Sequence, residues 1–346
     1  MPAATLTTLS ARLVHRVTQV TPGAALCLAI AAVATIIGRL VPVVGSALPA
    51  VVIGVTIAVV RRPASRLGAG IAFSARFLLQ CAVVLLGFQL SLQSILEVGL
   101  ESLPVMLSSL AVCLLAAWGI GRMLGVAERL RTLIGVGTGI CGASAIAAVA
   151  PVIGAASAEV SYAVSTIFLF NILAIAVFPA IGHLLHMDPH AFGLFAGTAV
   201  NDTSSVVAVA SMYGAAALGF AVVVKLVRTL MIVPISVGLA VVEARKGATP
   251  QRLTPGRVVK LVPWFLVGFL VVAVANSFVD LPGGARDVLV EGSVFLIATA
   301  LAGIGLSTDL RAVRRAGWRP LLLGAILWVL VMGTSLIVMW VTGALS

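Results

Sequence analysis

The sequence predicts an all-α polytopic membrane protein with about 11 transmembrane helices. They are read as one helix plus an inverted repeat of five and five, with two discontinuous crossing helices (5 and 10). Composition sets the class: of 346 residues, 61% are hydrophobic and 10% charged, whereas a soluble domain carries roughly 25% charged residues. The apolar runs are about 20 residues long, the length of helix that spans a hydrocarbon core of about 30 Å, and none shows the roughly ten-residue alternation of a membrane barrel.

The crossings are read at 21–40, 45–60, 70–92, 103–123, 131–153, 158–182, 191–212, 215–242, 259–278, 287–308 and 320–344. Pro- and Gly-bearing connections such as RRPAS, MDPHAFG and DLPGGAR separate them. Lys and Arg fix the orientation, because cytoplasmic loops retain them. With the N-terminus in the cytoplasm, seventeen fall in inside segments and only Arg39 and Arg286 outside, while Arg76, Lys225 and Arg228 lie within runs. The C-terminus is then expected outside. Arg12 and Arg16 ahead of an Ala-rich run also fit a secretory leader, whose removal would leave ten crossings, but no clear cleavage site ends the run.

The net charge of +11 resides in these short segments, without the interleaved aromatic residues of a base-stacking surface, so no nucleic-acid partner is expected. Cys27, Cys81, Cys113 and Cys141 all fall in apolar runs, where a thiol behaves as a small hydrophobe, and they form no CxxC pair.

An offset of five crossings reverses direction, so pairing crossings 2–6 with 7–11 makes the repeat inverted. The chain then divides into a cytoplasmic N-terminus with an extra helix (1–44), a first five-helix repeat (45–186) and a second (187–346). Crossing 3, with Arg76 and Gln80, would pair with crossing 8, which carries Lys225 and Arg228. Gly-rich crossing 5 would pair with Gly-rich crossing 10. Chance similarity is the competing explanation.

Crossing 5 contains GVGTGICGASAIAAVAP, a glycine density that suits either an unwound segment or very close helix packing. An interruption frees backbone groups that only protein, water or a solute can satisfy. Thr138, Gly139, Cys141, Gly142 and Ser144 would line it, and the half-helix starting near Gly142 to Ser144 would present N–H groups to an anion. Crossing 10, SVFLIATALAGIGLSTDL, is a weaker copy. There Thr299 and Gly303 would face the same site, with ligand-free packing as the alternative.

Crossing 7 contains GTAVNDTSSVVA, polar from Asn201 to Ser205. Asn201, Thr203 and Ser204 are further substrate-site candidates. Asp202 costs about 3 kcal/mol on insertion scales unless protonated, solvated or paired. It either carries a proton or cation, or neutralises Lys225 and Arg228, and both can hold. Lys225 and Arg228, three residues apart, share a helix face too central for snorkelling. Two cations against one acid leave positive potential suited to an anion, and Arg offers oxyanions a planar fork. The competing role is a clamp from crossing 8 to Asp202 or to carbonyls freed by a break.

His183, His186 and His190 beside Asp188 read as an interfacial cluster rather than a metal site, Asn171 as an interhelical bond, and Glu159 and Glu291 as solvated groups. No Walker, HExxH or GxSxG signature is present, so no enzyme, cofactor or metal is expected.

The segments GTGICGASAIAAVAPVI, AVNDTSSVVAVAS, KLVRTLMIVP and GIGLSTDLR, in that order, resemble the corresponding segments of the YeiH-type bacterial membrane proteins, a family labelled as sulfate exporters. The likeness extends over roughly 20–344. It implies an inner-membrane transporter related to the cation/proton antiporter and anion transporter superfamily with its crossed broken helices; with the orientation read from Lys and Arg, the N-terminus would be cytoplasmic and the C-terminus periplasmic or extracellular. The expected partners are a small inorganic anion such as sulfate or sulfite, a coupling proton or sodium ion, the lipid bilayer and a second copy of the chain in a homodimer. Asn201–Asp202 also resembles the Asn-Asp pair of electroneutral sodium/proton antiporters, so cation/proton exchange through Asp202 stays open, as does a non-transporting scaffold.

Overall fold

In the computed structural model the described residues are 3–40, 46–61, 63–89, 92–245, 264–278, 283–307 and 318–345, and they contain no strand. The helices are α1 (Ala3–Leu40), α2 (Ala47–Val60), α3 (Gly68–Phe73), α4 (Leu79–Leu86), α5 (Leu92–Met123), α6 (Glu128–Val136), α7 (Ala143–Val149), α8 (Ser157–Leu184), α9 (Pro189–Ala199) and α10 (Thr203–Tyr213). They continue with α11 (Ala215–Leu230), α12 (Ile232–Arg245), α13 (Trp264–Phe278), α14 (Gly283–Leu306) and α15 (Trp318–Thr342). A π-helical turn at Ser74–Leu78 joins α3 to α4, and another at Gly137–Cys141 follows α6.

Among the described residues, seven helical stretches are long and apolar enough to cross a membrane. Their outer faces are apolar too. On α5, Leu107, Leu115 and Trp118 are exposed while Met106, Leu110 and Cys113 are buried, a pattern that lipid accommodates and water does not. Each of the eleven expected runs is mostly helical within its described residues, but those at 131–153 and 191–212 are interrupted, at 142 and 150–153 and at 200–202.

The chain forms two compact units, residues 1–88 with 280–309, and residues 89–279 with 310–346. In the first, glycines let backbones touch. A Cβ on Gly54 would stand 2.6 Å from the Ala302 carbonyl oxygen, one on Gly305 2.7 Å from that of Val51, and one on Gly303 3.0 Å from that of Ile71. This corrects the reading of crossing 10 as discontinuous. α14 runs unbroken through Thr299 and Gly303, the Thr299 hydroxyl donates to the Phe295 carbonyl at 2.9 Å, and the glycine density serves close packing. Arg76 is exposed on its π-turn whereas Lys225 and Arg228 are fully buried, so the proposed match of crossings 3 and 8 does not extend to burial.

The second unit corrects crossings 5 and 7, expected to traverse. Both fold back. α6 and its π-turn end at Gly142, whose φ of 71° and ψ of −132° reverse the chain into α7. At the base of this hairpin a Cβ on Gly154 would lie 3.9 Å from the Arg129 guanidinium; an unbroken helix would separate those residues by about 37 Å. In the second hairpin α9 stops at Val200 and α10 starts after Asp202, both extended in backbone. Tyr213 at its far end stacks on Phe192 with ring centroids 3.8 Å apart, and its hydroxyl donates to the Met187 carbonyl at 2.5 Å. A continuous helix would place Met187 and Tyr213 about 39 Å apart.

α8, 28 residues long, joins the two hairpins end to end. The first closes at Gly154, just before Ser157, and the second closes where Tyr213 stacks on His183, with centroids 4.6 Å apart. The first reaches back to its middle, where Ile167 lies 3.0 Å from a Cβ on Gly137 and 3.6 Å from one on Gly142, and the second packs along it through Phe195, which stacks on Phe178 with centroids 4.8 Å apart. Asp188 starts the second hairpin as an N-cap, accepting from the Ala191 amide at 2.7 Å with Pro189 in the first turn.

Candidate functional site

The two hairpins meet tip to tip: a Cβ on Gly142 would stand 2.8 Å from the Cβ of Asp202. Each reversal leaves backbone carbonyls without helical partners, and buried carbonyls must be matched. α11 supplies the donors. Lys225, fully buried, donates from Nζ to the Val200 carbonyl at 2.5 Å and to the Ile140 carbonyl at 3.2 Å. Arg228, one turn on and also fully buried, donates from Nε to the Gly139 carbonyl at 2.6 Å. The two cations therefore hold carbonyls freed by the breaks, one of the two roles open at the sequence level.

Several polar atoms here have no partner. Nη1 and Nη2 of Arg228, the Thr138 hydroxyl, and both amide atoms of Asn201 are buried without a hydrogen bond. Leaving a buried donor unmatched costs about 1–3 kcal/mol, and more for a charged group. So many at one place distinguish it from a packed core. Donors of this kind suit an anion, and the planar guanidinium edge suits one with two oxygens to offer.

Asp202 is half-buried and caps α10, accepting from the Ser205 amide at 3.2 Å and from the Ser204 hydroxyl. Among the described residues no ion pair within 4.0 Å joins it to Lys225 or Arg228. Thr203 and Ser204 are half-buried and Ser144 is exposed. The Cys141 thiol is buried beside Thr229, Lys225 and Arg228. Thus Thr138, Gly139, Cys141, Gly142, Asn201, Asp202, Thr203, Ser204, Lys225 and Arg228 belong to the tips or the α11 segment that ties them. α7 has seven residues, which leaves it a weak dipole for the anion role expected of its start. Thr299 and Gly303 lie on the unbroken α14 of the other unit.

The histidines go elsewhere. His190 pairs with Glu101 at 3.1 Å and His183 stacks on Tyr213, and no group of three metal-ligating side chains occurs among the described residues. Glu159 caps α8, accepting from the Ala156 amide at 2.8 Å. The Asn171 side-chain oxygen, expected to bond a neighbouring helix, is buried without a partner.

Side-chain chemistry gives no hint of the Ile140 and Val200 carbonyls, yet a signal for them exists. GTGICGASAIAAVA (137–150) and GTAVNDTSSVVAVA (197–210) are identical at six positions at a spacing of 60. That spacing equates Gly142 with Asp202 at the reversals and Ile140 with Val200, the two carbonyls that Lys225 bridges.

A family model described as Conserved hypothetical protein 698 matches residues 22–324, a span containing both hairpins and α11. The chain is 42% identical over 322 residues to a UPF0324 membrane protein of Streptococcus pyogenes serotype M6, covering 91% of this chain and 95% of that one. It is 38% identical over 329 residues to a UPF0324 membrane protein of Streptococcus agalactiae serotype V, covering 93% and 97%. To one of Streptococcus pneumoniae serotype 4 it is 41% identical over 317 residues, covering 90% and 94%. With that coverage and those identities, the chain belongs to the UPF0324 family of membrane proteins, the family described as Conserved hypothetical protein 698.

Proposed function

We propose that this protein is a secondary transporter of a small inorganic oxyanion, of the sulfate or sulfite kind, acting by alternating access in a bacterial inner membrane. The observation that carries the reading is the Arg228 guanidinium, fully buried, bound through Nε alone, with Nη1 and Nη2 open. A cation buried this way is strongly unfavourable by itself, and an anion spanning the two Nη atoms matches it. Thr138 and Asn201 add neutral groups that recognise shape without adding charge. Hairpins that enter from opposite ends of α8 and meet at one site match the two-sided arrangement on which alternating access depends. With no nucleotide motif in the chain, transport draws on an ion gradient, the substrate gradient or the membrane potential.

Asp202 gives the coupling, and also a second reading. It sits at the meeting point of the tips, its carboxylate held by Ser204 and Ser205 while both cations engage carbonyls, and with no cation within ion-pair distance among the described residues it could take a proton or sodium ion as cargo of a cation/proton antiporter. Uptake into proteoliposomes separates the two. The anion reading expects labelled sulfate or sulfite to accumulate and the signal to vanish in Arg228→Ala. Sodium-driven proton exchange that persists in Arg228→Ala and disappears in Asp202→Asn overturns it.

A further inference from the structure

We infer that Lys225 is the tie that registers the two hairpin tips against each other, a positioning residue, and that ligand recognition falls to Arg228. The inference rests on the transport reading only in dividing the work of the two cations; the tie itself stands on geometry. Lys225 Nζ donates to the Val200 and Ile140 carbonyls, each two residues before its chain reversal and equivalent across the 60-residue repeat. One ammonium group thus serves matching positions on two hairpins.

The charge has a reason to be there. α9 and the π-turn after α6 both end at the tips, so two helix C-termini, each with partial negative charge, converge. Without a cation between them these ends repel and both carbonyls lose their partner. Lys suits the task because its ammonium is compact, with three donors that rotate to carbonyls in different directions. Arg228 is built differently: its bonding reaches the first hairpin only, at Gly139, and its outer edge stays open.

The contrast gives a test on the full-length protein in lipid nanodiscs, read by amide hydrogen exchange at residues 137–145 and 197–205. Lys225→Met is expected to speed exchange at both tips by about tenfold or more, the factor that follows from losing a charge-assisted bond, with Met187 to Phe192 at the second base unchanged. Arg228→Met is expected to speed exchange at the first tip alone. A general loss of packing cannot produce that split, since each variant deletes one buried cation from the same helix. If Lys225→Met does not fold, Lys225→Gln, which keeps an amide donor, is expected to loosen both tips together to a smaller extent. Exchange raised at one tip only or at neither in the Lys225 variant, or equally at both tips in Arg228→Met, overturns the inference. Labelled sulfate uptake is scored separately: its absence with the paired pattern intact rejects the transport reading and leaves the tie standing.

Discussion

Gly142 and Asp202 touch across the two chain reversals, with 2.8 Å between the Asp202 Cβ and the place a Cβ on Gly142 would occupy. Glycine is needed there twice over, since the same residue holds φ at 71°. Gly142→Ala combines the clash with backbone strain of about 1–3 kcal/mol and should lower the unfolding temperature in detergent. Gly214→Ala, at φ 138° with nothing within 4 Å, incurs strain alone and should fall less. Equal melting of Gly142→Ala and the wild type would contradict the tip contact.

Thr138 buries a hydroxyl with no partner. Thr138→Val keeps the shape and removes the unmatched group, so it should stabilise the protein by about 1 kcal/mol while weakening sulfate binding. Thermal unfolding and titration calorimetry on one preparation measure both. A destabilised variant with unchanged affinity would mean that the hydroxyl is structural.

Asp202 caps α10, and in the transport reading its charge has a second, separable duty. Asn caps as well as Asp, whereas Ala loses about 1 kcal/mol. Asp202→Asn should therefore melt near the wild type yet lose ion coupling in proteoliposomes, and Asp202→Ala should lose both. Coupling retained in Asp202→Asn assigns the carboxylate to the cap alone.

Arg228→Lys keeps the charge and discards the fork. Sulfate affinity in titration calorimetry should fall by about tenfold or more, as loss of a bidentate charged contact implies. Wild-type affinity in this variant would show that the site reads charge without geometry.

Much of this was legible in the residues. Lipid demands apolar length, so each run reads as helical, and the charges of Asp202, Lys225 and Arg228 within those runs point to the candidate site because hydrocarbon tolerates them only with a purpose. The reversals were hidden for a physical reason. Two half-helices of a hairpin together contain as many apolar residues as one crossing. Converting crossings 5 and 7 to hairpins changes the side of the connections 154–157 and 183–190, and neither contains Lys or Arg. Charge counting is blind to both. Glycine misled at crossing 10, because Gly303 and Gly305 serve close backbone packing there while Gly142 serves a reversal, and composition cannot separate those uses. The acceptors of Lys225 are main-chain oxygens, which no side-chain pattern displays.

Cysteine labelling reads which side of the membrane each hairpin base faces. In a background with the four native cysteines replaced, Ala127→Cys, Ala156→Cys, Leu185→Cys and Ala215→Cys, all at exposed positions, are labelled with a membrane-impermeant maleimide in sealed vesicles of one orientation. Facing hairpins predict that positions 127 and 156 react from one side of the membrane and 185 and 215 from the other. Positions 127 and 156 labelled from opposite sides, with 185 and 215 likewise divided, would mean that both segments traverse the bilayer and that no tip-to-tip site exists.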